Sequence, residues 1–199
     1  MKSNMEIIEF ELNNALYGRG DVDGLLAFMK DNGFYTSPAS GSHHLCCEGG
    51  LAQHSINVLD TMLAIRTARL HNTTNIPIES LVIAALLHDL GKIGDFEQSN
   101  YVVNMIKDGR PTKAEPEQKY KQSESKPYVT NPDIPYVDHE IRSVEYIRRF
   151  VELTQEEYQA ILWHNGLYGT FKYQIQNKET PLYLLLHFAD MWASRVMEV

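Results

Sequence analysis

The chain has 199 residues, of which 43% are hydrophobic, enough for a sizeable buried core and too apolar for wholesale disorder. Eighteen basic against 26 acidic residues leave a formal charge of −8, which argues against a protein held on nucleic acid by a basic surface and against stable duplex binding. Small phosphorylated substrates stay open, because bound metal ions reverse the local sign of a field. The two cysteines, Cys46 and Cys47, are adjacent and give no long-loop disulfide framework. The opening residues lack the apolar stretch of a signal peptide. The longest strongly apolar run, Leu81 to Leu87, falls short of the roughly 18 residues of a membrane span. A cytoplasmic protein of one domain, residues 1–199, is the expectation.

Most of the chain reads as helix. Glu6 to Tyr17 and Asp23 to Asp31 form two short amphipathic helices, the second closed by Asn32-Gly33. After the polar turn 36–41 and Gly49-Gly50, the longest helix runs from Leu51 to about His71, with Leu51, Val58, Met62 and Ile65 on one face. Pro77 opens a helix apolar nearly all round, which marks it as central and buried. It ends in His88-Asp89-Leu90-Gly91-Lys92, with Gly91 in place for a C-terminal cap.

Five of the eight prolines then fall between residues 94 and 135, where long helices are excluded. Tyr101 to Ile106 reads as a strand entering a turn at Lys107-Asp108-Gly109-Arg110. Lys107 to Lys126 carries six basic and four acidic residues, a local positive excess in an acidic chain. It is either a solvated surface loop or a flap that borders an active site and sets substrate size. Helices resume from Asp138, a candidate N-cap, to about Glu152. Thr154 to Glu157 forms a capping box with Leu153 and Tyr158 as its staple, and that helix runs to His164. A last helix from Thr180-Pro181 carries Leu182, Leu185, Leu186, Ala189, Ala193 and Val196. The fold class is all-α, with a small β-hairpin-containing insertion.

Eight histidines occur, and several sit where apolar residues are expected. His54 lies between Leu51 and Val58, His88-Asp89 directly follows the most apolar segment, and Asp190 lies one turn beyond Leu186. An isolated ionised carboxylate there needs a cation or strong hydrogen bonds. A metal ion held with neutral imidazoles answers that for Asp89 and Asp190 together; helix capping or a buried salt bridge would answer it too. The cluster His43-His44-Leu45-Cys46-Cys47 is too crowded for the usual paired zinc spacing.

The order His54, His88-Asp89, Asp190, all on helices, resembles the HD superfamily of metal-dependent phosphohydrolases. The resemblance rests on five ordered blocks: Glu48 to Ser55, His88 to Ile93, Pro135 to Glu140, Trp163 to Gly166, and His187 to Asp190. They cover most of the chain, from about Phe34 to Val196. The nearest likeness is to small stand-alone HD hydrolases of phages and prophages, and the Gly-Gly-Leu-x-x-His block also resembles the HD module of certain 3′→5′ exoribonucleases. The resemblance implies an HD helical bundle in which His54, His88, Asp89 and Asp190 hold one metal. It puts His139 and His164 on a second, with Asp89 bridging and catalytic.

The same resemblance places Lys92 as a catalytic and substrate-binding cation; Arg142, one turn past His139, and His44, before the Gly-Gly turn, are further substrate-binding candidates. Asp138 and Glu48 are weaker candidates, His187 a packing residue or a partner of a ligand, and His71 a surface residue. Imidazole-rich ligation suits Mn, Fe, Co, Ni or Zn better than Mg. One or two such ions would generate hydroxide near neutral pH and polarise a phosphoryl group. The expected activity is hydrolysis of a phosphomonoester or phosphodiester of a nucleotide or short oligonucleotide. An exoribonuclease-like phosphodiesterase, a di-iron oxygenase and a degenerate nucleotide-binding module are the alternatives, and oligomeric state stays open.

Overall fold

The computed structural model describes residues 2–70, 72–94, 98–113, 115–169 and 172–198. Among them the chain is mostly α-helical, with a small β element. Helix α1 (Asn4–Ala15) starts on a capping box in which the Ser3 hydroxyl accepts the Glu6 N–H and the Glu6 carboxylate accepts the Ser3 N–H. Helix α2 (Val22–Asp31) is capped by Asp21 and closes at Asn32, with Gly33 at φ +81°. Helix α3 (Gly50–Thr67) follows Gly49 and stops four residues short of His71, which lies outside the described residues. Helix α4 (Ile78–Leu87) is the centre of the core: every residue from Ser80 to Leu87 is buried, against α1, α3, the later α6 (Gln155–Leu162) and α8 (Pro181–Trp192).

Gly91 does not cap α4. The helix ends at Leu87 and passes into a single 3₁₀ turn, Leu90–Lys92, with Gly91 packed against helix α5 (His139–Arg148). A Cβ on Gly91 would stand 2.0 Å from the His139 carbonyl oxygen and 2.7 Å from Arg142 Cβ. Its N–H donates to Ser143 Oγ (2.8 Å), whose hydroxyl in turn donates to the His139 carbonyl (2.8 Å). The glycine is there for close approach, and the approach fixes the start of α5 beside the end of α4.

The irregular stretch forms a long antiparallel ribbon with an interruption. Strand β1 (Tyr101–Val103) pairs with β4 (Tyr128–Thr130), and β2 (Met105–Lys107) pairs with β3 (Tyr120–Gln122). Asn104 separates β1 from β2, whereas Ser123 to Pro127 separate β3 from β4, so the return strand bulges there. The single strand expected over Tyr101 to Ile106 is thus two. At the base, the Tyr128 N–H donates to the Gly41 carbonyl (3.2 Å), which ties the ribbon to the loop before α3.

Helix α5 ends at Arg148, shorter than its sequence pattern suggests, and Val151 bridges to Gly20. The expected capping box at α6 is present, but Glu157 does more than cap. Its fully buried carboxylate accepts from Arg19 Nη1 (2.8 Å to each oxygen), Ser80 Oγ (2.6 Å) and the Thr154 N–H (2.8 Å). One side chain thereby joins the α1–α2 connection, α4 and α6. After the short α7 (Lys172–Ile175), Thr180 caps α8, which continues into a π-helical turn, Ala193–Met197. Among the described residues no helix is long and apolar enough to cross a membrane.

Candidate metal centre

Five segments distant in sequence converge at one end of α4: the second turn of α3, the α4 terminus, the start of α5, the end of α6, and α8. They bring together His54, His88, Asp89, His139, His164 and Asp190, all six of the expected ligands. His54 and His88 are fully buried, Asp89 and His164 are 1% exposed, and His139 is partly open. Asp89 straddles two pairs of imidazoles. Its Oδ2 lies 3.5 Å from His54 Nε2 and 3.4 Å from His88 Nε2, and its Oδ1 lies 3.3 Å from His139 Nε2 and 3.4 Å from His164 Nε2. Asp190 Oδ1 stands 3.2 Å from His54 Nε2.

The orientation of the rings follows from helix-end chemistry. The last four carbonyls of a helix have no intrahelical donor. His88 follows directly on the last residue of α4, and its Nδ1 bonds the Ala85 carbonyl (2.9 Å); His164 follows α6, and its Nδ1 bonds the Ile161 carbonyl (2.7 Å). A carbonyl only accepts, so Nδ1 carries the proton in both rings and Nε2 of the neutral ring presents a lone pair. His54 Nδ1 meets the Glu198 carboxylate (3.0 and 3.1 Å), which places a proton on Nδ1 of that ring as well. Fixing the remote nitrogen on an acceptor is how imidazole ligands of metals are oriented.

These groups converge on one another around the Asp89 carboxylate. The Nε2 atoms of His44 and His88 and Asp89 Oδ1 are buried without a hydrogen bond, while Asp89 Oδ2 is held by the Lys92 ammonium. Such orphaned acceptors need a cation. Lys92 supplies one positive charge, its Nζ lying 2.6 Å from Asp89 Oδ2. The donor set of imidazole nitrogens and carboxylate oxygens fits a divalent transition metal, and His54, His88, Asp89 and His164 could hold one.

Electrostatics follow the same geometry. Burial pushes the Asp89 carboxyl up, but the Lys92 ammonium and the surrounding imidazoles outweigh it and hold the group well below the ordinary carboxylate range. Burial pushes Lys92 down and Asp89 more than restores it, so the ion pair stays charged. Burial likewise lowers His54, yet Asp190 and Glu198 hold it up at about 9. His44 is pushed down to about 4 by burial and by its neighbours His54 and Lys92. Burial also leaves His88 below its ordinary value.

Beside the centre opens a cavity of about 520 Å³, lined in part by Lys92, His164 and Asp190. His44, Ser40 and His187 form part of its wall, and His187 Nδ1 bonds the His164 carbonyl (2.8 Å), so His187 buttresses a ligand. Arg142 lines a small adjoining pocket with Lys92 and His139, and its guanidinium is engaged by Asn100 Oδ1 (3.0 Å) and the Pro135 carbonyl (2.7 Å), which anchors the ribbon base to α5. It does not line the main cavity. Asp138 accepts the Tyr136 hydroxyl and Glu48 is exposed; neither reaches the centre. None of Lys107 to Lys126 lines the main cavity either; the ribbon meets the centre only through its base, where Tyr101 lies beside Lys92. Neither cysteine joins a metal-holding group among the described residues.

Sequence reasoning missed Glu198, Asn57 and Asn165. Asn57 Nδ2 donates to Glu198 (2.9 Å), and Asn165 Nδ2 contacts His139 Nε2 (3.3 Å) and donates to Glu140 (2.6 Å). Asn165 lies inside a quoted sequence block, but Glu198 has no periodic signal because the π turn resets its face. Arg195 and Tyr168, stacked at the cavity mouth with the guanidinium 5.5 Å from the ring centroid, were also missed. Comparison of the chain with protein-family models, with curated proteins and with solved structures gives no match, so the functional reading rests on the geometry of the centre.

Proposed function

We propose that the chain is a metal-dependent phosphohydrolase of the HD type, cleaving a phosphomonoester or phosphodiester of a nucleotide or short oligonucleotide. The observation that carries this reading is Asp89, a buried carboxylate with one oxygen toward each of two imidazole pairs, three of whose outer nitrogens are fixed on acceptors. That arrangement suits one or two divalent transition metals, with His54, His88 and Asp190 on one side of Asp89 and His139 and His164 on the other. When bound, such ions supply Lewis acidity and a water of lowered pKa.

The chain's own residues do the rest. Lys92 reaches both Asp89 and the cavity, so its ammonium can bind a phosphoryl oxygen there. Arg195 adds a second cation to the cavity wall, in a protein of net charge −8. About 520 Å³ lies within the ordinary range for small-molecule sites. Tyr168, exposed at the mouth, offers an aromatic face to a base.

The test is metal analysis followed by a phosphate-release screen over mononucleotides, dinucleotides and cyclic nucleotides, repeated on Asp89→Ala. The expected result is transition metal in the parent, phosphate or phosphodiester products, and loss of both in a still-helical variant. Full hydrolysis by Asp89→Ala would falsify the reading. Iron with oxygen uptake and no phosphate release would replace it with an oxygenase.

A further inference from the structure

His88 and His164 need no outside help to present Nε2, because each lies at a helix end with a free carbonyl three residues back. His54 differs. It sits in the second turn of α3, where the main-chain carbonyls behind it are already taken by the helix. Its Nδ1 must find an acceptor from another part of the chain. Glu198 provides it, with a side chain 1% exposed, both oxygens on the ring nitrogen, and Asn57 Nδ2 holding the carboxylate from one turn along α3.

The backbone is shaped to deliver that carboxylate. At 100° per residue an uninterrupted α-helix would carry Glu198 about 80° round from Asp190, off the face that meets α3. The π turn Ala193–Met197 winds less per residue, and its closing bond, from the Glu198 N–H to the Ala193 carbonyl (3.1 Å), brings Glu198 back toward that face. Thr61 Oγ1, whose proton goes to the Asn57 carbonyl (2.8 Å), lies 3.3 Å from Met197 Sδ and seats the turn on α3 immediately before Glu198. We propose that Glu198 is a positioning residue of the metal centre, locking His54 in the Nδ1–H form so that Nε2 faces the ion. The inference rests on the metal reading above and adds to it a residue outside the expected ligand set.

Cobalt(II) titration of the full chain, followed by its visible absorption, tests this together with nitrogen NMR of the His54 ring. Glu198→Ala should weaken cobalt binding by 10- to 100-fold, the usual effect of removing a carboxylate behind a histidine ligand, and should scramble the His54 tautomer. Glu198→Gln, whose amide oxygen still accepts from Nδ1, should keep the tautomer and lose less affinity. If the alanine variant does not fold, the glutamine variant decides, because an affinity equal to the parent's overturns the proposal. Loss of an ion from the stoichiometry of Glu198→Gln with the tautomer unchanged also overturns it, by making Glu198 a ligand. A parent protein that binds no cobalt removes the metal reading itself, whereas parent-like binding by both variants removes only the role of Glu198.

Discussion

His139 Nε2 and His164 Nε2 stand 3.2 Å apart, the first ring at the opening residue of α5 and the second just beyond α6. The His164 ring has its proton on the far nitrogen, held by Ile161, and His139 has Glu140 Oε2 3.5 Å from its own far nitrogen. Two imidazole lone pairs so close repel unless a proton or a cation lies between them. Asp89 Oδ1 completes the triangle.

Replacing both His139 and His164 by alanine should therefore halve the metal content, from two ions per chain to one, while His54, His88 and Asp190 retain the other. Metal analysis after desalting reads this directly. A double variant with the parent's stoichiometry and rate would remove the second ion from the centre.

The raised His54 sets a pH window. After chelation, the folded protein holds a proton on His54 up to about pH 9, whereas the unfolded chain releases it near 6.5. That stabilisation, roughly 3 kcal/mol at most, is full below 6.5 and is lost as pH rises through 9. His44 and His88, both lowered, oppose this slope only near 6.5, where the unfolded imidazoles release their protons, and the raised His164 adds to it above that point. Chelated protein should thus lose melting temperature between pH 6.5 and 9, and the rise in melting temperature on adding cobalt should grow over the same interval. A flat profile in both series would show that His54 carries no proton there.

Stability elsewhere depends on Glu157. Removing its main partner, as in Arg19→Ala, leaves a carboxylate with no exposure on Ser80 and Thr154 alone, and should cost about 3 kcal/mol in chemical denaturation. Metal stoichiometry should not change. A loss within about 1 kcal/mol, the level of an exposed pair, would mean that solvent reaches the carboxylate after all.

Gly91→Ala tests the seam between α4 and α5. The new methyl would collide with the His139 carbonyl and the Ser143 nitrogen, which are backbone atoms and yield only if α5 moves. We expect a destabilisation of about 2 kcal/mol and weaker binding of the second ion, with the first retained. Equal weakening at both would place the damage in α4 instead.

Shortening Lys107–Lys126 to a brief Gly/Ser linker should leave metal content intact, since none of the described residues of that span lines the main cavity or joins a metal-holding group. An increase in KM on longer oligonucleotides, with mononucleotides unaffected, would show that the ribbon contacts substrate beyond the cavity. Unchanged kinetics across all lengths would make it a surface element.

Legibility in the sequence followed locality. The helices over Val22–Asp31 and Ile78–Leu87 and the cap at Thr154 were readable because propensity, periodicity and capping chemistry are local signals. Polar groups in apolar surroundings pointed to His54, Asp89 and Asp190, but only the family resemblance joined them with His88, His139 and His164. Gly91 was misread because a glycine after a helix looks alike whether it turns the chain or admits a neighbour; its partner α5 lies some fifty residues on. Arg142 carried the same ambiguity, a cation one turn beyond His139 whose guanidinium is taken by Asn100 and Pro135. Glu198 was beyond reach, since a π turn cannot be read from periodicity.

Both α4 and α6 end at the centre, so two helices aim their carbonyl termini, the negative poles of their dipoles, at the same point. Asp89 and Asp190 add full negative charges, offset before a metal binds by Lys92 and by the proton on His54. A divalent cation entering here would take the place of the His54 proton and would meet attraction from backbone and side chains alike. If the proposed reading holds, metal loading should release a proton and should strengthen phosphate binding.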